Sequence, residues 1–106
     1  VVKEGYRKGG VGRALMEEIE KELSERGCLV IYLGSDDEFG TTSLSNTDLF
    51  EDTFKKIDTI KNLKGHPFEF YQKVGYKIVG VIPDANGIGK PDIWMAKRVG
   101  AMPQEV

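Results

Sequence analysis

The chain has few of the residues that announce chemistry on their own. It holds one cysteine, Cys28, so no internal disulfide can form, and one histidine, His66, so no His/Cys set is at hand for a metal. Cys28 opens the apolar run Cys28-Leu29-Val30-Ile31-Tyr32-Leu33, where a buried structural thiol is expected rather than a reactive one. No apolar stretch is long enough to span a bilayer, and none reads as a secretory leader, so the expected location is the cytoplasm with no membrane partner. Neither charge sign dominates: 15 Lys and Arg stand against 17 Asp and Glu. That balance argues against a nucleic-acid surface. At 106 residues, 40% of them hydrophobic, a single domain spanning 1–106 is expected. No initiator Met precedes Val1-Val2, which reads as the end of a strand, so the domain is expected to begin upstream, its leading strands missing here.

Against this sparse background one segment stands out, Arg7-Lys8-Gly9-Gly10-Val11-Gly12-Arg13. It follows a short apolar strand end and opens an amphipathic helix. Glycines there let the chain turn tightly, so that N–H groups at a positive helix terminus can face a phosphate. Arg7, Lys8 and Arg13 add charge around the turn. No Lys-Ser or Lys-Thr follows, which excludes a Walker loop, and the third glycine and acidic residue of a dinucleotide fingerprint are missing. From Val11 to Arg26 the apolar positions Val11, Ala14, Leu15, Ile19 and Leu23 recur at helical spacing, with Glu17–Lys21 and Glu22–Arg26 as pairs four apart. Gly27 is placed to stop the helix. Cys28 to Leu33 then reads as a strand buried on both faces, which completes a βαβ unit.

Downstream, Gly34 to Asn46 reads as loop and Asp48 to Leu63 as a helix with Phe50, Phe54, Ile57 and Ile60 along one side. Pro67 suits the first turn of a short helix running to Val74, with Gly75 as its stop. Tyr76 to Ile82 and Ile93 to Ala96 or Lys97 read as two strands of a hairpin, joined by a loop dense in turn residues. His66, beside a helix-starting proline, is expected to cap or pack rather than act as a base. Trp94 is expected to pack within its strand.

The turn matches the Arg-x-x-Gly-x-Gly pattern of acetyl-coenzyme A binding through Arg7, Gly10 and Gly12, and the chain resembles the GNAT superfamily of N-acetyltransferases. A second marker is Phe70-Tyr71-Gln72-Lys73-Val74-Gly75-Tyr76, similar to the short helix, glycine and strand-opening aromatic of that family. The family's usual Asn and small residue before the Tyr are replaced by Lys64 and Pro67, with Asn62 displaced by two. Three further stretches resemble aminoglycoside 6′-N-acetyltransferases: Tyr32 to Glu38, Lys61 to Phe68 and Ile82 to Lys97. The resemblance implies an α/β fold (α+β in some schemes), a mixed sheet with flanking helices.

It also implies acetyl transfer from acetyl-CoA, with no metal, to a primary amine, possibly of an aminoglycoside. Residues Arg7, Lys8, Gly9, Gly10, Val11, Gly12 and Arg13 would then bind CoA. Tyr71 would be the catalytic residue, assisting the departing thiolate. Asp36 and Asp37, at the C-terminal end of a strand, would select the cationic amine together with Asp92 from the hairpin. A non-catalytic CoA-binding or oligomerising half-domain is the competing expectation. A homo-oligomer is expected either way, because an uncovered strand edge recruits another chain.

Overall fold

The computed structural model describes residues 10–100. Their elements run α1 (Val11–Glu25), β1 (Val30–Asp36), α2 (Thr53–Asp58), α3 (Phe68–Lys73), β2 (Lys77–Ile82) and β3 (Asp92–Arg98). The described residues form two compact units, 10–31 with 97–100, and Tyr32–Ala96.

In the first unit, α1 ends where its sequence says it should. Arg26 is the C-cap, Gly27 follows at φ 88, and Glu22 pairs with Arg26 at 2.8 Å. Beyond it, Val99 and Gly100 donate their N–H groups to the Leu29 carbonyl at 2.9 and 3.1 Å. Glu20 is buried and takes the Lys97 ammonium at 2.7 Å. Val11, Leu15 and Ile19 form the expected apolar stripe but remain exposed among the described residues. Cys28 is only half-buried and lies ahead of the strand, its thiol donating to the Val30 carbonyl at 3.3 Å, which corrects the expectation of a core thiol.

The sheet has the order β1-β3-β2. Strands β2 and β3 pair antiparallel, from Lys77 opposite Ala96 to Ile82 opposite Asp92, with a bulge at Val79 where the register slips by one. Along β1, exposed residues alternate with half-buried or buried ones, so this strand has a wet face and is not buried on both sides as expected. It also runs three residues further, to Asp36. The Val1-Val2 strand that prompted a parallel pairing lies outside the described residues.

Leu44, Leu49, Phe68, Val74, Tyr76, Ile93 and Met95 make the core of the second unit. The helix expected over Asp48 to Leu63 is reduced to the six residues of α2. Asp52, inside that span, adopts φ 50, in the left-handed region a helix cannot pass through. Asp48 accepts the Phe50 N–H at 2.9 Å, the local bond that competes with helix formation. Phe50 and Phe54, expected on an inner face, are 75% and 79% exposed. By contrast α3 follows its signals closely: Pro67 precedes it at φ −64 and Gly75 stops it at φ 103.

Candidate active site

The glycine turn comes first. Gly10 stands at the N-cap of α1 in the left-handed region, φ 80 and ψ 9, where an L side chain would be strained. No heavy atom of the described residues lies within 4 Å of where its Cβ would be, so among them the backbone is open to approach. The first N–H groups of a helix have no acceptor within it. Among the described residues no side-chain cap supplies one, and no acidic residue sits in the first turn. Gly12 is buried within that turn. A 15-residue helix with such a start suits an anion rather than a metal or an apolar group. Of the expected CoA-binding residues, Gly10, Val11, Gly12 and Arg13 are described; Arg7, Lys8 and Gly9 lie outside the described residues.

Tyr71 is carried in the middle of α3. It is half-buried, its ring edge-on to Phe70 at 5.5 Å and to Tyr76 at 5.8 Å. Its N–H closes the first turn of the helix on the Pro67 carbonyl at 3.3 Å. The ring is therefore steadied on two sides by aromatic contacts.

The three expected amine-selecting carboxylates separate into two kinds. Asp37 is 1% exposed, and its two oxygens accept five hydrogen bonds. Oδ1 takes the Thr41 N–H at 2.8 Å and hydroxyl at 2.7 Å. Oδ2 takes the Thr42 N–H at 2.9 Å with the Thr42 and Ser45 hydroxyls, both at 2.7 Å. Burial pushes its pKa up, but the Ser45, Thr41 and Thr42 donors outweigh this and hold the carboxyl well below the usual range. No oxygen is left for a substrate ammonium. Asp37 builds the 37–45 loop, a correction to its expected role.

Asp36 and Asp92 stay available. Asp36 ends β1 with its side chain exposed, and Asp92 begins β3 half-buried. Burial raises the Asp92 pKa, and the Asp36 charge raises it further; the nearby Trp94 indole offsets part of the rise. Asp92 lies directly against Gly34, where an added Cβ would stand 2.7 Å from its Oδ2. Two residues along each strand, Tyr32 and Trp94 stack at 5.6 Å with planes 25° apart. Tyr32, Gly34 and Asp36 therefore line one face of β1 beside Asp92 and Trp94 of β3. The result is an aromatic floor ending in two carboxylates. Tyr32, Gly34 and Trp94 were missed as site residues. The signal was their period of two, which puts them on the acidic face once β1 is extended to Asp36.

His66 is 4% exposed and both ring nitrogens are engaged, one at the Asp36 carbonyl at 2.9 Å, the other at the Phe68 N–H at 3.0 Å. It caps and packs, as its place beside Pro67 suggests. Asn62, displaced from the family's usual position, holds the His66 main chain: its Oδ1 accepts the His66 N–H at 2.8 Å and its Nδ2 donates to the His66 carbonyl at 2.9 Å. Among the described residues no cluster of ligating side chains could hold a metal ion, and no helix is long and apolar enough to cross a membrane.

Comparison with known proteins defines the class. Residues 1–46 match the acetyltransferase (GNAT) family. A solved aminoglycoside 6′-N-acetyltransferase complexed with coenzyme A is 54% identical over 98% of this chain and 58% of its own, with a TM-score of 0.94. The aminoglycoside 6′-N-acetyltransferase from Enterococcus faecium is 53% identical over 98% of this chain and 59% of its own, with a TM-score of 0.93. An aminoglycoside 6′-acetyltransferase type Ii is 42% identical over 97% and 51%, with a TM-score of 0.66. No curated protein matches the chain significantly. The chain belongs to the GNAT acetyltransferase family. It spans about 58% of the length of the first of these solved relatives.

Proposed function

We propose that this chain carries the coenzyme-binding part of an N-acetyltransferase domain that moves acetyl from acetyl-CoA to a primary amine of an aminoglycoside. The observation that carries the reading is the start of α1: a left-handed Gly10, a buried Gly12 and an N-terminus without a side-chain cap. The solved relative complexed with coenzyme A supports the choice of anion, because CoA presents a pyrophosphate. In this reading the Arg7 to Arg13 turn holds that pyrophosphate through main-chain N–H groups, with the basic side chains around it.

The transfer needs no covalent enzyme intermediate. The amine lone pair attacks the thioester carbonyl carbon, a C–N bond forms, the C–S bond breaks, and sulfur leaves with the electron pair. Tyr71 gives its phenolic proton to that sulfur, a step of the kind worth about 10²- to 10⁴-fold in rate. The amine's own proton passes to a base that none of the described side chains is assigned to supply. Asp36 and Asp92 attract the ammonium groups of the acceptor, and the Tyr32–Trp94 stack offers its sugar rings an apolar surface. Protein in the cytoplasm, assembled with a second copy through the edge of β1 left uncovered among the described residues, is the form in which we expect the reaction. Incubation with acetyl-CoA and kanamycin tests the function, read as thiol release together with an acetylated product by mass spectrometry. Thiol release without acetylated drug contradicts the aminoglycoside assignment, and neither product contradicts the transferase itself.

A further inference from the structure

We infer that His66 is a positioning residue that fixes Tyr71 relative to the Asp36 end of β1. The inference rests on the reading of Tyr71 as the proton donor to sulfur. Its starting point is that both partners of the imidazole are main-chain groups of a single kind. The Asp36 carbonyl can only accept, so Nε2, at 2.9 Å, carries the ring hydrogen. The Phe68 N–H can only donate, so Nδ1, at 3.0 Å, is bare. One neutral tautomer satisfies both, and the geometry admits no other. The ring is buried, and Asn62 grips the His66 main chain on both its N–H and its carbonyl. The imidazole is thus held at its root as well as at its two tips.

What it holds matters for the chemistry. A helix of six residues, α3 is far too short to be stable alone, and its N-cap is a proline with no side-chain bond to offer. The Phe68 N–H is one of the groups a helix start leaves without an internal partner, and His66 Nδ1 satisfies it. Tyr71 lies one turn further on, its N–H bonded to Pro67, the residue next to His66. The other tip of the ring grips the last residue of β1, whose side chain is a candidate for binding the amine. One imidazole therefore sets the distance between the group that protonates the leaving sulfur and the strand end that receives the nucleophile. Misplacing a catalytic group by about 1 Å can cost about 10²-fold in rate.

Two near-isosteric substitutions each keep one link. His66→Gln can keep a donor for the Asp36 carbonyl but loses the acceptor at Phe68; His66→Asn can do the reverse. Long-range ¹H–¹⁵N correlation on the intact chain should show the Nε2–H tautomer alone. In both variants the Tyr71 ring resonances should move while those of Ile93 and Met95 stay. In the acetyl-transfer assay kcat should fall about 10- to 100-fold in each, with KM for acetyl-CoA within about threefold of the parent, because the misplacement acts on the transition state. An Nδ1–H or mixed tautomer, or Tyr71 resonances that do not move in either variant, overturns the inference directly. Tyr71→Phe, run beside them, isolates the premise. If it turns over as fast as the parent while the ring still moves in the His66 variants, the proton-donor reading fails and takes the inference with it. If Tyr71→Phe is slow and the His66 variants are not, the positioning role alone is refuted.

Discussion

Replacing Asp37 by Asn removes little volume and one charge, yet it should be among the most destabilising single changes in the chain. Each oxygen of the carboxylate accepts a main-chain N–H, from Thr41 on one side and Thr42 on the other, along with one or two hydroxyls. Hydroxyls can turn away, but main-chain N–H groups cannot. An amide can face only one of the two N–H groups with its oxygen, so its NH₂ meets the other donor head-on. Hydrogen bonds to a charged group contribute about 1.5–3 kcal/mol each. Losing one outright and weakening the rest gives about 2–4 kcal/mol for Asn, and more for Ala, which loses every one. That is a large share of the 5–15 kcal/mol typical of a folded domain. The sign with pH follows from the lowered pKa. In the folded state the carboxyl gives up its proton more readily than in the unfolded chain, so its contribution is complete above about pH 5. It drains away as the pH falls through about 4 toward the folded value. Urea unfolding of parent and Asp37→Asn at pH 7 and pH 3 should show a gap of 2–4 kcal/mol that narrows on acidification. A gap below about 0.5 kcal/mol at pH 7, or one that is unchanged at pH 3, refutes the reasoning.

Gly34→Ala should push the Asp92 carboxylate aside, since its Oδ2 would stand 2.7 Å from the new methyl; a rise in KM for the aminoglycoside with only a small loss of stability is expected, by steady-state kinetics beside thermal melts. Asp92→Asn should stabilise the protein at pH 7. Burial and the Asp36 charge raise the pKa of Asp92, so its charged form opposes folding above the folded value, and that cost is gone below the unfolded one. Denaturation curves that give the same stability difference from the parent at pH 7 and pH 3 would contradict this. Gly89→Ala should cost about 1–3 kcal/mol, because Gly89 sits at φ 74 and a Cβ would press on the Asn46 main chain at 3.2 Å; an unchanged melting temperature argues against it. Light scattering should find an assembly larger than one chain, through the edge of β1 that no other strand of the described residues covers, and a compact monomer at high concentration would count against that edge as an interface.

The elements whose signals are local were legible from the residues. The amphipathic spacing of α1 with Gly27 behind it, Pro67 and Gly75 around α3, and the turn-rich hairpin loop each carry their own instruction. The parts that depend on the chain folding back were not. Thr41, Thr42 and Ser45 look like ordinary loop residues until Asp37 gathers them, and that gathering turns an expected substrate ligand into the anchor of a loop. The Phe50 and Phe54 spacing promised a longer helix than forms, because Asp48 and the left-handed Asp52 interrupt it. Of the candidate site, the glycine turn and Tyr71 rest on motifs that are continuous in sequence. The Tyr32–Trp94 floor and the His66 link join residues 62 and 30 positions apart, so they emerge only once β1 lies beside β3 and the Lys61 to Phe68 segment meets the end of β1.

Titrating the ¹⁵N-labelled protein with coenzyme A tests the coenzyme-binding reading most directly. Saturable shifts of the Gly10, Val11, Gly12 and Arg13 amides are expected, together with their loss in Gly10→Val, whose side chain would be strained at φ 80 and would crowd the phosphates. Unmoved amides in the parent, or equal affinity in Gly10→Val, would contradict the assignment of this turn to the coenzyme.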